Sequence, residues 1–359
     1  MKKIKKKQSK ALISNIIFSL IALFSLTVCI ILLLYNYNLK ERAQKAESET
    51  ERIQEYAKEH CYTQADMDEN TEKIREEENA KEKNILLDEI KEIMNNGYSA
   101  YYLLRGLYPD DVVVTYNNGY EFYPINDSLK KNDYELSNFI QDEETGEIVY
   151  QDDSKGQISK KGIDVSSHNG DIDWDKVKKD GIEFAYIRVG YRGSSEGAIS
   201  IDSKFEDNIK GANKAGIDVG VYFYTQAVNT QEAVEEAEFV LDTIEPYTVT
   251  YPIAYDIELL KDGRADSLSK DEYIACTEAF CERIKNEDLT PMVYGNLNSF
   301  FNMLSPEALN NYEKWFAYYS YPVYNPYDYA IWQYSAEGHV DGIKGDVDMN
   351  ICLKTIHND

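Results

Sequence analysis

The C-terminal half of this 359-residue sequence predicts an α/β fold, a closed TIM-like (β/α)5β3 barrel in which five βα units are followed by three strands with little helix between them. Two observations carry that reading. Strand-like and helix-like runs alternate with short connections, which implies a parallel sheet. About 190 residues with eight strands then favour closure over an open sheet.

The elements follow in order. Strand-like runs lie at 163–166 (IDVS), 184–189 (FAYIRV), 219–224 (VGVYFY), 252–258 (PIAYDIE) and 291–296 (PMVYGN). Helical patterns begin at Trp174 and span Asp202 to Ala215, Thr230 to Ile244 and Ser269 to Asn286, and a helix-like stretch runs to Tyr312. The last strands are WFAYYS at 315–320, IWQY at 331–334 and the region around Val347. The barrel is assigned to residues 161–359.

Before it stand four segments of different character. Residues 1–10 hold six lysines and no acid, and Ala11 to Tyr35 is almost wholly apolar. As a helix that run is roughly 37 Å long, enough to cross a ~30 Å hydrocarbon core. It is longer than a signal-peptide core and leaves through Tyr35, Asn36, Tyr37 and Asn38 rather than a small-residue cleavage site, so an uncleaved transmembrane helix is expected. The basic end then predicts a cytoplasmic tail and an extracellular C-terminal domain. Residues 36–96 read as a helical spacer, one run from 40 to 95 of roughly 80 Å. Leu39, Ala43, Ala46, Thr50, Ile53, Ala57 and His60 keep coiled-coil spacing, predicting at most weak self-association through residues 39–60. Residues 97–160 read as a small β-containing module plus a linker at 151–160. Within it Val112 to Tyr116, Asn117-Asn118-Gly119 and Tyr120 to Ile125 form a hairpin signal, with Gly119 expected to supply the positive φ.

Composition excludes several functions. With 64 acidic against 38 basic residues and a net charge of −26, nucleic-acid binding is not expected, because phosphate-backbone affinity rests on Lys and Arg. Five cysteines show no framework spacing, and four histidines show no HxxxH or HExxH pattern. Neither a metal nor a cofactor is expected.

One segment carries chemistry. In YPIAYDIEL (251–259) side chains alternate, so Asp256 and Glu258 share a face at a strand end, roughly 7 Å apart along the chain. The C-terminal strand ends of a barrel are where catalytic residues sit. Asp164 ends the first strand and Asp348 lies in the last, its neighbour in a closed barrel. Four carboxylates around one cleft raise at least one pKa by like-charge repulsion and desolvation, as a general acid near neutral pH requires.

Together GIDVSSHNGDIDW (162–174), FAYIRVGYRG (184–193), VGVYFYTQA (219–227), the YDIE centre and IWQYSAEGHVDGIKGDVDMNIC (331–352) resemble glycoside hydrolase family 25, the Chalaropsis-type lysozymes. The match runs in order from about Lys161 to Cys352. The resemblance implies hydrolysis of the β-1,4 bond between N-acetylmuramic acid and N-acetylglucosamine in peptidoglycan glycan strands. It implies Glu258 as acid/base, Asp256 as the group that orients the substrate's 2-acetamido nucleophile, and Asp164 and Asp348 as completing the cleft. Tyr222-Phe223-Tyr224 stands where many members read YHF, and Tyr318 where His or Gln is common, so Tyr222 and Tyr224 are placed at sugar subsites.

Tyr294, Tyr319, Trp332 and Gln333 fall at strand ends and suit sugar stacking and hydroxyl recognition. Arg188 suits either a substrate contact or an ion pair. Nine of the 30 tyrosines fall between Tyr294 and Tyr334, predicting an aromatic sugar-binding rim. Two rival readings are an inactive peptidoglycan-binding or envelope scaffold on the same fold, and a coiled-coil assembly protein with an incidental barrel.

Overall fold

The structure, a computed structural model, describes residues 32–56, 58, 63–95 and 99–358. It divides into two units, Met1–Asn96 and Gly97–Asp359. The predicted membrane run at 11–35 lies outside the described residues except for 32–35. Among the described residues no helix is long and apolar enough to cross a membrane.

In the first unit, residues 32–56 form helix α1 and Gln64–Asn95 form α2. The single helix expected over 40–95 is therefore two. Thr63 starts the second: its hydroxyl accepts from the Asp66 amide at 3.3 Å while the Asp66 carboxylate accepts from the Thr63 amide at 2.9 Å. This reciprocal cap satisfies helix-end donors at a defined N-terminus. Ala57 and His60 of the predicted seam lie outside the described residues.

The second unit opens with α3 (Ala100–Leu107) and the hairpin β1 (Asp111–Tyr116) and β2 (Gly119–Pro124). The turn differs from expectation. Asn117 and Asn118 take φ of 46° and 63°, while Gly119 is already paired with Tyr116. Asn tolerates the left-handed region, so a two-residue turn closes without glycine at its centre. β3 (Phe139–Gln141), β4 (Ile148–Asp152) and β5 (Gln157–Ile158) make a second antiparallel sheet. Residues 151–160 are thus no linker: β4 and β5 pair, and the Gln157 amide donates to the carbonyl of Leu353.

The barrel comprises β6 (Lys160–Val165), α4 (Trp174–Lys179), β7 (Phe184–Arg192), a short β8 (Ile199–Ile201), α5 (Phe205–Ala215), β9 (Asp218–Tyr224), α6 (Thr230–Ile244), β10 (Ile253–Asp256), α7 (Lys270–Lys285), β11 (Pro291–Gly295), α8 (Pro306–Leu309), β12 (Glu313–Ala317), β13 (Ile331–Gly338) and β14 (Val347–Cys352). Eight strands close in the order β6-β7-β9-β10-β11-β12-β13-β14, with β14 returning to β6. The first seven run parallel and β14 runs antiparallel to both neighbours. Only residues 339–346 join β13 to β14, too short a connection for a crossover, so the chain turns back on itself.

Helix ends are capped as their sequences dictate: Asn229 accepts from the Glu232 amide, and Ser269 forms a reciprocal box with Glu272. On α7 the buried side chains Tyr273, Cys276, Thr277, Phe280, Cys281 and Ile284 follow helical spacing and face the sheet. Inside the barrel aromatic rings fill the lower layers. Phe184 stacks on Tyr251 at 5.1 Å, and Tyr186 packs on Trp315 at 4.4 Å. Two strand glycines make the room: a Cβ on Gly162 would lie 2.3 Å from the Phe184 ring, and one on Gly220 2.5 Å from Tyr186.

This predicts that Gly220→Ala destabilises the protein by about 1–3 kcal/mol through overpacking. Gly106→Ala, in a helix with open space around it, should be neutral or stabilising. Thermal denaturation of the two variants against the parent checks the contrast.

Candidate active site

Strand alternation lifts one polar layer above the aromatic plug. Asp164 on β6, Arg188 on β7, Tyr222 and Tyr224 on β9, Asp256 on β10, Tyr294 on β11 and Asp348 on β14 all line one cleft of about 550 Å³, joined by Glu258, Tyr319 and Gln333. These are strand ends at the mouth into which the parallel strands point. Asp348 reaches the same end because β14 is antiparallel: near the start of its strand, it pairs in register with Asp164 near the end of β6. Cross-strand Cβ atoms in such a pair lie about 4.5–5.5 Å apart.

The cleft floor is held by one hydrogen-bond chain. Asp164 Oδ2 accepts from Gln333 Nε2 and from Asn350 Nδ2, each at 2.8 Å. Gln333 Oε1 accepts the hydroxyls of Tyr294 (2.8 Å) and Tyr319 (2.7 Å). Asn350 Oδ1 accepts the Trp315 indole N–H at 2.7 Å. An indole can only donate, which fixes the amide orientation of Asn350 and so aims its NH2 at Asp164. Asp256 has no such support: buried at 6% exposure, its Oδ1 has no hydrogen-bond partner.

The family model for glycosyl hydrolases family 25 matches residues 163–343. The chain belongs to this family. The autolytic lysozyme of Clostridium acetobutylicum is 30% identical over 191 residues, covering 53% of this chain and 55% of that protein. Lysozyme M1 of Streptomyces globisporus is 30% identical over 201 residues, covering 53% and 66%. The chain thus spans between about half and two-thirds of the length of these curated relatives. Among solved structures, the modular autolysin LytC from Streptococcus pneumoniae in complex with synthetic peptidoglycan ligand superposes with a TM-score of 0.49 at 25% identity, over 67% of this chain and 56% of that one.

In this family 25 barrel the four carboxylates disfavour one another's ionisation. Burial, then the charges of Asp348 and Glu258, hold Asp164 well above the usual range against the pull of its two amide donors. Burial, then Glu258 and Asp164, raise Asp256 in the same way, and Arg188 opposes them. Glu258 stands at the open lip, where the protein around it and then the charge of Asp348 raise it. Asp348 is pushed up to about 6 by burial. Among the described residues no set of three His, Cys, Asp or Glu is placed to hold a metal ion.

Two expected contacts change. Arg188 is committed to Asp202, with Nε at 2.8 Å and Nη2 at 2.7 Å, and it also donates to Ser167. It walls the cleft as half of an ion pair. Trp332 is absent from the cleft: it lies on the outer face of β13, fully buried, its indole donating to Tyr318 O at 2.8 Å and its ring 5.4 Å from Phe139. Neighbours on a strand face opposite ways, so Gln333 inside puts Trp332 outside. The same alternation supplies what sequence reasoning missed. Trp315 shares the face of Tyr319, and Asn350 that of Asp348. His168, in the turn after β6, also lines the cleft.

The tyrosine-rich stretch is not chiefly a rim. Tyr318 accepts from Arg105, Tyr321 donates to Phe139 O, Tyr324 accepts from the Val113 amide, Tyr327 accepts from the Asn126 amide and Tyr329 O accepts from Tyr134. Five of the nine therefore seat residues 99–158 against the barrel, and two, Tyr294 and Tyr319, line the cleft.

The raised pKa of Asp348 predicts a pH signature. An unfolded Asp titrates near 3.9, so between about pH 4 and 6 the native state binds the extra proton. Its stabilisation is complete below the unfolded value and is lost as pH rises through about 6. Asp348→Asn should therefore exceed the parent in stability at pH 7, by up to about 3 kcal/mol, and approach it near pH 4 and below. Urea denaturation at both pH values measures this; an equal offset at both would contradict it.

Proposed function

We propose that the protein is a peptidoglycan hydrolase, a 1,4-β-N-acetylmuramidase acting on the MurNAc-GlcNAc bond of glycan strands. Family membership and the lysozyme relatives support the reaction class. The observation that carries the residue roles is Asp256: a buried carboxyl with an unpartnered oxygen, two residues from a half-open glutamate of raised pKa. Burying an acceptor without a partner is costly, and a substrate N–H repairs it.

The chemistry follows from these positions. Glu258, kept protonated toward neutral pH, gives its proton to the glycosidic oxygen as the C1–O bond breaks. Asp256 accepts the N–H of the 2-acetamido group, so that the acetamido oxygen closes on C1 and the departing sugar leaves as an alcohol. Glu258, now ionised, takes a proton from water, whose oxygen opens the ring at C1 with net retention. Asp164 and Asp348 line the floor beside the developing positive charge. The amides of Gln333 and Asn350, the first oriented by the phenols of Tyr294 and Tyr319, hold the Asp164 carboxyl in place before substrate arrives.

We also propose that residues 11–35 anchor the enzyme in a membrane with its N-terminus cytoplasmic and the barrel outside, facing a bacterial wall. The lysine-rich end and the length of the apolar run support that orientation.

Glu258→Gln should abolish release of new reducing ends from purified peptidoglycan, and near-parental activity would overturn the assignment. Asp256→Asn should lose on the order of 10²-fold or more in rate. Borohydride labelling of product termini should give muramitol; glucosaminitol would identify a glucosaminidase instead. For the anchor, protease added to intact cells should remove the barrel and leave a tag at residue 1 protected.

A further inference from the structure

Helix α6 carries a charged residue in the stripe it buries. Its buried side chains are Ala233, Glu236, Ala237, Val240 and Ile244, and Glu236 is wholly enclosed. Both of its carboxylate oxygens are engaged. Oε1 accepts from Arg192 Nε at 2.7 Å, and Oε2 accepts the hydroxyls of Thr225 at 2.8 Å and Tyr255 at 2.9 Å, which lie 2.7 Å from each other. Arg192, buried at the end of β7, donates with its other nitrogens to the carbonyls of Gly197 at 2.7 Å and Glu232 at 2.9 Å. Burial nevertheless holds the Glu236 carboxyl above its usual range, against the pull of Arg192, Thr225 and Tyr255. A buried ion pair contributes little net stability, because desolvating both charges offsets their attraction. None of these four residues lines the cleft.

The partners of Glu236 are the outward neighbours of two cleft residues. Thr225 follows Tyr224, and Tyr255 precedes Asp256; Tyr224 and Asp256 line the cleft and pair in register across β9 and β10. Beyond that pair the Thr225 amide donates to the Asp256 carbonyl at 3.2 Å. On the other side of β10 the Ile257 amide donates to the Tyr294 carbonyl at 3.2 Å. Thr225 is therefore held twice, by its hydroxyl on Glu236 and by its amide on Asp256. The Ala227 amide donates to the same hydroxyl oxygen at 3.0 Å, which fixes the turn that leaves β9. Tyr255 is held by its ring as well, stacked on Phe280 at 4.2 Å. Asp256, whose Oδ1 has no protein partner, thus stands on backbone clamped from the outer face of the sheet, at Tyr255 before it and through its own carbonyl after it.

We propose that Glu236, seated on Arg192, is a positioning residue of the hydrolase: through Thr225 and Tyr255 it fixes the β9–β10 seam at Asp256, and so the direction in which Asp256 meets the substrate's acetamido N–H. An acceptor with no protein donor to orient it takes its direction from its backbone, and a displacement of about 1 Å at such a group costs on the order of 10²-fold in rate. This rests on the muramidase reading for the role of Asp256.

The test uses isosteric changes in the full chain, because removing Glu236 or Arg192 leaves an unpaired buried charge and endangers the fold. Thr225→Val and Tyr255→Phe keep the shape of the side chain and lose one hydroxyl each. On soluble glycan strands each should lower kcat roughly tenfold with KM within about twofold of the parent, while Thr225→Ser, which keeps the hydroxyl, stays near the parental kcat. In an Asp256→Asn background the same two changes should lower kcat no further, since they act through that carboxyl. Additive losses there, or a parental kcat in both single variants, overturn the proposal. Hydrogen exchange reads the seam without turnover: Thr225→Val and Tyr255→Phe should speed exchange in peptides covering residues 224–228 and 253–259 and leave the rest of the barrel at parental rates. Unchanged exchange in those peptides, or faster exchange throughout the barrel, also overturns it. Local loosening in a parent that cleaves nothing, or beside an Asp256→Asn variant of parental rate, refutes the muramidase reading of Asp256 and leaves the fixing of the seam by Glu236 standing.

Discussion

Asp348 faces Asp164 across a seam where the last strand runs against the first, and the site depends on that reversal. Were β14 parallel, the residue near its start would lie at the opposite end of the barrel. The short return from β13 instead carries Asp348 to the mouth, into the company of three other carboxyls. Such a cluster is unfavourable as built. Its raised pKa values are the measure of that cost, and in the proposed mechanism they also keep an acid protonated where a leaving group needs a proton. Stability and function are opposed at one pair of residues.

The cost is contained by donors aimed at a single oxygen. Trp315 orients Asn350, Tyr294 and Tyr319 orient Gln333, and both amides converge on Asp164 Oδ2. With that oxygen committed to accepting, a proton on Asp164 belongs on Oδ1. Asp256 is left with a free oxygen because no comparable donors were supplied to it. One aspartate with two donors on a single oxygen stands beside another with an orphaned oxygen, both 6% exposed, and under the proposed mechanism the first holds the floor while the second is completed by substrate.

Much of this was legible in the sequence because period-two alternation is read directly from residue types. The DxE pair follows from it, while the eight barrel strands were legible as short apolar runs between helical patterns and the convergence of Asp164 and Asp348 from closure of the barrel. Where the reading failed, it neglected its own rule: Trp332 and Gln333 were both placed in the cleft although adjacent strand residues cannot share a face, and Trp315 and Asn350 were passed over although parity put them inside. The reversal of β14 was hidden because βα repetition implies parallel strands and only the length of the final connection argues otherwise. The tyrosines misled for a different reason. A phenol looks the same in sequence whether its hydroxyl meets a sugar or a protein group, and here four of the nine hydroxyls, those of Tyr318, Tyr321, Tyr324 and Tyr327, meet the N-terminal segment.

That segment is therefore part of the barrel's wall rather than a neighbour of it. Phe139 of β3 packs on the outer face of β13 through Trp332, one residue from Gln333, which supports Asp164 from the inner face. Tyr134 packs on Tyr329 at 5.3 Å and bonds its carbonyl, and Gln157 reaches the carbonyl of Leu353 beyond the last strand. A boundary drawn at Lys161, where family likeness begins, would strip the covering from a fully buried tryptophan and leave apolar strand surface in water, at a cost of about 2–3 kcal/mol for that ring alone. The load falls on the strand that orients the floor of the cleft. Residues 99–158 thus contribute to the geometry of the carboxylates without touching them, by fixing the far side of the strand from which Gln333 projects.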